Sequence, residues 1–245
     1  MTIIARTPAR LTGRTIARRL LTDADVRGMF GLLSASFGGV DAQTFAADLG
    51  EKSHVILLDD DDGVLRGFST LLVYSTNTPE GDATVVYSGD TIVDREWWGS
   101  PALAVSWLRA AWGLTSRASA GNVYWLLLTS GFRTYRFLPV FWREFYPRFD
   151  MPSEPRALID AIARERFGDR YDAGSGIVRF ARPQVLVPEL LDVPAGRTDD
   201  PHVEFFLARN PGYVHGDELV CLTNIGAHNL TPAGRRIARM LDREA

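Results

Sequence analysis

The sequence predicts an α/β (α+β) fold in which helices flank a mixed, mostly antiparallel central sheet, with a C-terminal extension. Two observations lead to this class. Along the first 150 residues, segments with apolar residues at helical spacing alternate with short apolar runs of strand length. Hydrophobic residues make up 46% and charged residues 23% of the 245-residue chain, the ordinary balance of a globular protein with a buried core.

Two helices are expected before the first hairpin. Thr22, with Asp25 three positions later, forms a capping-box-like start. Apolar residues then recur at helical spacing as far as Phe37, where two glycines end the helix. Asp41 is placed to cap a second helix, which Gly50 closes.

Strands are expected next, because the hydrophobic period changes. Residues 54–58 and 64–75 predict a hairpin, and residues 84–93 predict a third strand. Ser100 as N-cap and Pro101 as the first helical residue then begin a helix that is apolar nearly all round. Such a helix should be well buried.

The second half of the chain alternates in the same way. A continuous apolar run at residues 123–129 is typical of a strand covered on both faces. A helix that Pro139 can kink or restart follows it, and an amphipathic helix is expected at residues 156–167. Residues 202–208 and 219–223 are expected to be strands.

These elements divide the chain into three parts. Residues 1–21 are rich in arginine and are expected to form an N-terminal arm or strand. Residues 22–150 form the core, and residues 151–245 are expected to complete the sheet within the same domain.

Composition excludes several classes of protein. A formal net charge of −3 argues against a strongly basic nucleic-acid binder. Lys52 is the only lysine, and the residues before it lack the glycine pattern of a P-loop. Cys221 is the only cysteine, so no internal disulfide can form and a cytoplasmic, reducing location is expected. No apolar run approaches the ~20 residues needed to span a membrane, and residues 1–21 lack the apolar segment of a secretory signal.

The histidines do not suggest a metal site. They are His54, His202, His215 and His228. None is spaced from another as paired metal ligands are, and a cysteine-rich site cannot form. No metal is expected.

The order of elements over residues 22–150 resembles the GNAT superfamily of acyltransferases. In that family the third long strand splays from its neighbour, and a loop then leads into a helix whose backbone N–H groups hold the cofactor pyrophosphate. The matching segment is Val93 to Leu103, where the family pattern is Gln/Arg-x-x-Gly-x-Gly/Ala. Here the span from Arg95 to Gly99 is one residue longer, and Pro101 has no N–H to offer a phosphate. A shorter similarity, Phe-Tyr-Pro-Arg-Phe at residues 145–149, matches the Phe-Tyr-x-x-x-Gly-Phe that ends the family's later helix.

The resemblance implies an enzyme that moves an acyl group from a thioester donor to an amine of a small molecule or amino acid. The donor is acyl-CoA or an acyl carrier protein with its phosphopantetheine thioester, used as a co-substrate rather than a tightly bound cofactor. A loop poorly suited to pyrophosphate suits the carrier-protein donor, which has no nucleotide. A V-shaped gap is expected near residues 88–93, with a pocket that reaches residues 98–103 and 130–136. The residues expected to contact the donor are Ile92, Val93, Trp98, Gly99, Ser100, Ala102, Ser130, Arg133 and Arg136.

Acyl transfer needs a base for the amine and an acid for the leaving thiolate. Asp90 on the third strand is the candidate base, with capping of a sheet end or loop as the structural alternative. Gly89 beside it predicts a bulge or a close backbone approach. Tyr135 or Tyr146 could supply the acid, or could be ordinary packing residues.

Two other classes stay open. A non-catalytic protein that binds a small ligand or partner on a degenerate GNAT scaffold would have its gap filled by Trp97, Trp98 or C-terminal residues. An unrelated hydrolase or lyase ranks last, because the sequence contains no Gly-x-Ser-x-Gly elbow and no paired His-Glu motif.

Overall fold

A sheet of eight strands organises the protein, for which a computed structural model describes residues 10–115, 122–151 and 155–244. The strands are β1 (Thr12–Ala17), β2 (Phe37–Gly38), β3 (His54–Asp59), β4 (Leu65–Thr78), β5 (Gly81–Val93), β6 (Asn122–Thr129), β7 (Tyr171–Asp172), β8 (Ile177–Val178), β9 (Val185–Leu186) and β10 (Glu218–Asn224). Eight of these strands form the main sheet, in the order β1-β3-β4-β5-β6-β10-β8-β7. Strands β2 and β9 pair with each other in a separate two-stranded sheet.

Helices connect and cover the strands. They are α1 (Asp23–Ser36), α2 (Ala42–Glu51), α3 (Ala102–Thr115), α4 (Phe132–Tyr135), α5 (Phe137–Phe141), α6 (Arg156–Phe167), α7 (Pro188–Leu191), α8 (Pro201–Arg209) and α9 (Pro232–Glu244). None of the helices in the described ranges is both long and apolar enough to cross a bilayer.

The sheet is mixed and mostly antiparallel, which confirms the predicted fold class. Among the described strands, β5 and β6 form the parallel pair, and the other pairings are antiparallel. Parallel neighbours need a long crossover, and α3 supplies it between these two strands. Strand β1 lies at one edge beside β3, while β10, β8 and β7 extend the sheet on the far side of β6.

Both faces of the sheet are buried. Alternate residues of each strand point to opposite faces: Leu127 packs in the cluster that contains α3, α5 and α9 residues, and Leu126 packs in the cluster that contains α6 residues. A third cluster, on the same side as α6, joins α1 and α2 to β3 and β4 through Met29 and Phe68. Burial on both faces explains why β6 is apolar from Val123 to Leu128.

Several elements agree with the sequence because their ends are set locally. The Thr22 side chain accepts from the Asp25 N–H, and the Asp25 carboxylate accepts from the Thr22 N–H, so the predicted capping box is present. The Asp41 carboxylate accepts from Thr44 N–H at the start of α2. The amphipathic helix predicted at residues 156–167 is α6.

The prediction of a strand at residues 202–208 is wrong, because these residues form α8. Pro201 occupies the first turn and the Asp200 carboxylate accepts from the His202 N–H, so the chain is capped as a helix. Val203 and Phe206 are then buried on one face. Helical capping and burial at a spacing of three outweigh the strand preference of the aromatic run.

The helix expected around Pro139 is divided, although not at the proline. Helices α4 and α5 meet at Arg136, three residues before it. One other expectation falls partly outside the described residues, because the arm predicted at residues 1–21 is described only from residue 10 onward.

Candidate active site

The main feature of the sheet is a gap between β5 and β6. Their parallel pairing runs from Ala83 opposite Asn122 to Ser88 opposite Leu127 and ends there. Strand β5 continues to Val93 while still pairing with β4 on its other side. The two strands therefore separate beyond Ser88, which confirms the predicted gap near residues 88–93.

A β-bulge lies where the strands separate. Leu71 pairs with Ser88 and Ser69 pairs with Thr91, so Gly89 and Asp90 together oppose one residue of β4. Such a bulge bends its strand and re-aims side chains. The bulge predicted at Gly89 is therefore confirmed.

Glycine is required at the bulge for space. A Cβ on Gly89 would lie 2.6 Å from Lys52 Cε and 2.6 Å from Thr70 Oγ1. Both neighbours are buried, so neither can move aside cheaply. The bulge thus depends on this glycine, and it places Asp90 at the gap.

A cavity of about 610 Å³ opens from the gap. Its lining includes Phe45, Tyr87 and Leu128 from the clusters on one face of the sheet, and Leu103 from the cluster on the other. The cavity therefore reaches both faces through the separated strands. Two ligand groups can therefore meet in the cavity, one from each face of the sheet.

Most of the residues expected to contact a donor lie on this cavity. Those that line it are Ile92, Val93, Trp98, Gly99, Ser100, Ser130, Arg133 and Arg136. Ala102 is not in the lining, and its N–H donates to Ser100 Oγ at 3.3 Å. The start of α3 is thus capped by its own chain, and Pro101 offers no N–H.

Asp90 is a half-buried carboxylate in the cavity lining. Burial raises its pKa to about 6, the negative charge of Asp48 adds to the increase, and Lys52 opposes it. Lys52 is itself buried and forms a 2.5 Å ion pair with the Asp48 carboxylate. Asp90 lines the cavity, and its carboxylate makes no hydrogen bond or ion pair with the described residues.

Glu218 is a second cavity carboxylate, and sequence reasoning missed it. It begins β10, where Leu219 pairs with Thr129, so Glu218 lies beside Ser130. The Ser130 hydroxyl donates to Glu218 Oε1 at 2.8 Å. Burial raises the Glu218 pKa to about 7, the Ser130 hydrogen bond lowers it in part, and Asp90 and Asp48 raise it further. The one signal in the sequence was a charged residue directly before an apolar strand.

The two tyrosines considered as acids are not brought to Asp90. Tyr135 is fully buried outside the cavity lining, and its hydroxyl donates to the Pro147 carbonyl at 2.8 Å. Tyr146 forms a bridge with Leu222 and also lies outside the lining. Both occupy packing positions, the structural alternative. The tyrosine that does line the cavity is Tyr87, whose pKa burial raises well above its ordinary value.

Arginines mark another part of the cavity. The Arg133 guanidinium donates to the carbonyls of Leu190 at 2.5 Å and Asp192 at 3.0 Å, and stacks over the Trp98 ring at 4.9 Å. Burial and the charge of Arg95 lower the Arg133 pKa. Arg136 pairs with Asp200 at 2.8 Å. Helix α4 thus presents positive charge on the side of the sheet where α3 begins.

The tryptophans line the cavity without filling it. The Trp98 indole N–H donates to the Val93 carbonyl at 2.9 Å, and the side chain remains 41% exposed. The C-terminal part of the chain contributes further wall residues, among them Phe180 and Leu186. Within residues 10–115, 122–151 and 155–244, the gap is therefore not filled as a non-catalytic scaffold was expected to have it.

No group of three or more histidine, cysteine, aspartate or glutamate side chains in the described ranges is placed to hold a metal ion. Cys221 is fully buried in β10, and burial raises the pKa of its thiol to about 12.

Comparison with known proteins gives similarity at the level of structure. No protein-family model matches the chain, and no curated protein matches it by sequence. Among solved structures, a GNAT-family N-acetyltransferase (YhbS) from Escherichia coli in complex with CoA is 16% identical, with a TM-score of 0.38, and the match covers 51% of this chain and 65% of that one. An acetyltransferase from Trypanosoma brucei is 17% identical, with a TM-score of 0.38, covering 58% of this chain and 99% of that one.

A longer match extends into the C-terminal third. A conserved protein of unknown function from Enterococcus faecalis V583, described as a "probable N-acyltransferase", is 12% identical with a TM-score of 0.43, and the match covers 89% of this chain and 66% of that one. These similar structures are all described as N-acyltransferases or acetyltransferases. At such identities and TM-scores the likeness concerns the fold, and it says nothing about what this chain binds.

Proposed function

We propose that the protein transfers an acyl group from a thioester donor to an amine. The observation that carries the proposal is the separation of β5 and β6 at Ser88 and Leu127, which opens onto a cavity holding the unpaired carboxylate of Asp90. Separated strands leave backbone N–H and C=O groups without a neighbour strand. An extended ligand rich in amides, such as the phosphopantetheine arm of CoA or of a carrier protein, can bind along that edge.

Asp90 is suited to act as the general base. An amine reaches the cavity as an ammonium and must lose a proton before it can attack. A carboxylate with a pKa of about 6 is largely ionised at neutral pH and is basic enough to accept that proton efficiently. Its burial at the bulge, rather than any ion pair, sets this property.

The transfer of the acyl group takes place in two steps. The amine lone pair forms a C–N bond to the thioester carbonyl carbon, giving a tetrahedral intermediate with an oxyanion and a positively charged nitrogen. Collapse of the intermediate breaks the C–S bond. The positively charged nitrogen loses a proton, and that proton neutralises the departing thiolate. The first proton, held by Asp90, passes to solvent, and an amide and a free thiol are the products.

The phosphates of the donor can bind near α4. Arg133 and Arg136 line the cavity there, and guanidinium groups match phosphate geometry. The start of α3 contributes less, because Ala102 N–H is used by Ser100 and Pro101 has none. This favours a donor held mainly by its pantetheine arm, so an acylated carrier protein is included beside acyl-CoA.

The test is a thiol-release assay. Acetyl-CoA, a medium- and a long-chain acyl-CoA, and an acylated carrier protein are each combined with a panel of amines, and free thiol is detected with a chromophoric disulfide. The protein adds little background, because its one cysteine is buried with a raised thiol pKa. We expect release that requires both protein and amine. Absence of release with every pair, together with no thermal stabilisation by any thioester, would contradict the proposal.

A further inference from the structure

Three carboxylates from different elements line one cavity. Asp48 is on α2, Asp90 is at the bulge of β5, and Glu218 begins β10. They are separate in sequence and meet only in the folded protein. Asp48 contributes to the raised pKa of both other groups, and Asp90 contributes to that of Glu218, so the three share one electrostatic environment.

Their positive partners do not balance them. Lys52 is paired with Asp48 at 2.5 Å. Arg166, which stacks over the Tyr87 ring at 4.9 Å, is paired with Glu51 at 2.6 Å and is not part of the cavity lining. Asp90 has no ion-pair partner in the described part of the chain, and the partner of Glu218 is the neutral Ser130 hydroxyl.

Two enclosed carboxylates are thus left to a ligand. A buried carboxylate without a cation is costly, and the cost falls when a positive group takes the place of water. Asp90 is assigned to the reacting amine by the proposed function. Glu218, held in a fixed position by Ser130, then faces the cavity with no role in that reaction.

We infer that the acceptor is a small diamine, whose reacting nitrogen faces Asp90 while its second, ammonium nitrogen binds Glu218. This inference rests on the proposed function and narrows its acceptor from amines in general to dications. An amino acid acceptor is disfavoured, because its own carboxylate would enter a site that already contains three acidic side chains. Arg133, Arg136, Arg182 and Arg197 also line the cavity, but none of them is among the charges that shift the pKa of Asp90 or Glu218.

The closing experiment measures binding without any thioester. Three four-carbon ligands, putrescine, butylamine and 4-aminobutyrate, are titrated calorimetrically into the wild-type protein at pH 8. They share one ammonium and differ in the group at the other end. We expect putrescine to bind about tenfold more tightly than butylamine, the size expected of one charge-assisted hydrogen bond, and 4-aminobutyrate to bind most weakly.

Glu218→Gln is the diagnostic variant. Its amide oxygen can still accept from Ser130, so the shape of the site is kept while the charge is removed. We expect the preference for putrescine over butylamine to disappear in this variant. Glu204→Gln is the matched control, because Glu204 is an exposed residue of α8 outside the cavity lining, and it should keep the preference.

The outcomes separate this inference from the proposed function. Equal binding of putrescine and butylamine by the wild-type protein, or no binding of putrescine at millimolar concentration, would overturn the inference whatever the variants do. If butylamine supports thiol release as efficiently as putrescine, acyl transfer is supported and the inference of a diamine acceptor is overturned. Selective putrescine binding without thiol release from any donor would support the dication site and count against acyl transfer.

Discussion

The Ser130 hydroxyl donates a 2.8 Å hydrogen bond to the Glu218 carboxylate. The two residues are 88 positions apart in the chain, and the bond joins the end of β6 to the start of β10 at the cavity wall. It also stabilises the charged form of Glu218 against the effect of burial. One contact therefore holds the Glu218 carboxylate at the cavity wall and lowers its pKa in part.

Ser130→Ala should raise the pKa of Glu218 above its value of about 7, because the alanine cannot donate to the ionised carboxylate. The measurement is a carboxyl-carbon NMR titration, in which the Glu218 signal is identified by its loss in Glu218→Gln. A Glu218 midpoint that stays the same or falls in Ser130→Ala would show that the hydrogen bond does not control this group.

Gly89→Ala should destabilise the protein by about 1–3 kcal/mol, the typical cost of overpacking a closely packed interior. The new methyl would lie 2.6 Å from Lys52 Cε and Thr70 Oγ1. Urea unfolding gives the free energy of unfolding. Gly31→Ala is the control, since Gly31 lies on α1 with nothing within 4 Å, and alanine there should be neutral or stabilising by up to ~1 kcal/mol. Equal effects of the two substitutions would count against a bulge that depends on glycine.

Asp90→Asn should reduce the rate of acyl transfer by about 10²–10⁴-fold, the usual contribution of a general base, without loss of folding. The carboxamide has nearly the same shape but cannot accept the amine proton. Thiol release at saturating donor and acceptor measures the effect. Asp62→Asn, in the exposed turn before β4, is the control and should keep full activity. A rate within a few-fold of wild type would remove Asp90 from the proton transfer.

Under the proposed function, thiol release by the wild-type protein should rise with pH through a midpoint near 6. Asp90 accepts a proton only when ionised, and its pKa is about 6. The initial rate of thiol release between pH 5 and pH 8 measures the profile at low acceptor concentration. A rate that is flat across this range would indicate that no group with this pKa controls the reaction.

Asp90 and Glu218 should also make the protein's stability depend on pH in a defined direction. Their pKa values of about 6 and about 7 lie above the ordinary values of 3.8 and 4.5. Between these limits the folded protein holds protons that the unfolded chain has released. The stability that this provides is fully present below about pH 4 and is lost as the pH rises through 6 to 7.

Removing the charges of Asp90 and Glu218 tests the predicted direction of this pH dependence. The double variant Asp90→Asn with Glu218→Gln cannot ionise at these positions, so its stability relative to wild type should increase between pH 4.5 and pH 8, by about 5 kcal/mol at most. Unfolding in urea at both pH values measures the difference. A relative stability that falls with rising pH would contradict the assignment.

The fold was accessible to sequence reasoning where its signals are local. The capping box at Thr22 and Asp25 involves residues three apart, and the bulge at Gly89 follows from a glycine inside a strand pattern. Local reasoning was wrong at residues 202–208, where the apolar run suited either a strand or a helix. The cap at Asp200 and the packing of Val203 and Phe206 decided for the helix.

The candidate site shows the same contrast between local signals and long-range contacts. Asp90 and all the predicted donor-contact residues except Ala102 line the cavity, because they lie on the strand and loops that the element order already marked. Glu218 was missed and Tyr135 was misplaced, because neither position can be read from nearby residues. Glu218 is at the cavity only because β10 inserts beside β6, and Tyr135 is away from it because its hydroxyl bonds to Pro147.

The sequence by itself therefore determined most of the elements, the gap and the place of one carboxylate beside it. These depend on periodicity, caps and turn residues, which act over a few positions. The tertiary structure alone decided which charges share the cavity. Strand register brings Ser130 to Glu218 and helix packing brings Lys52 to Gly89, and the desolvation that tunes Asp90 exists only once these distant segments enclose it.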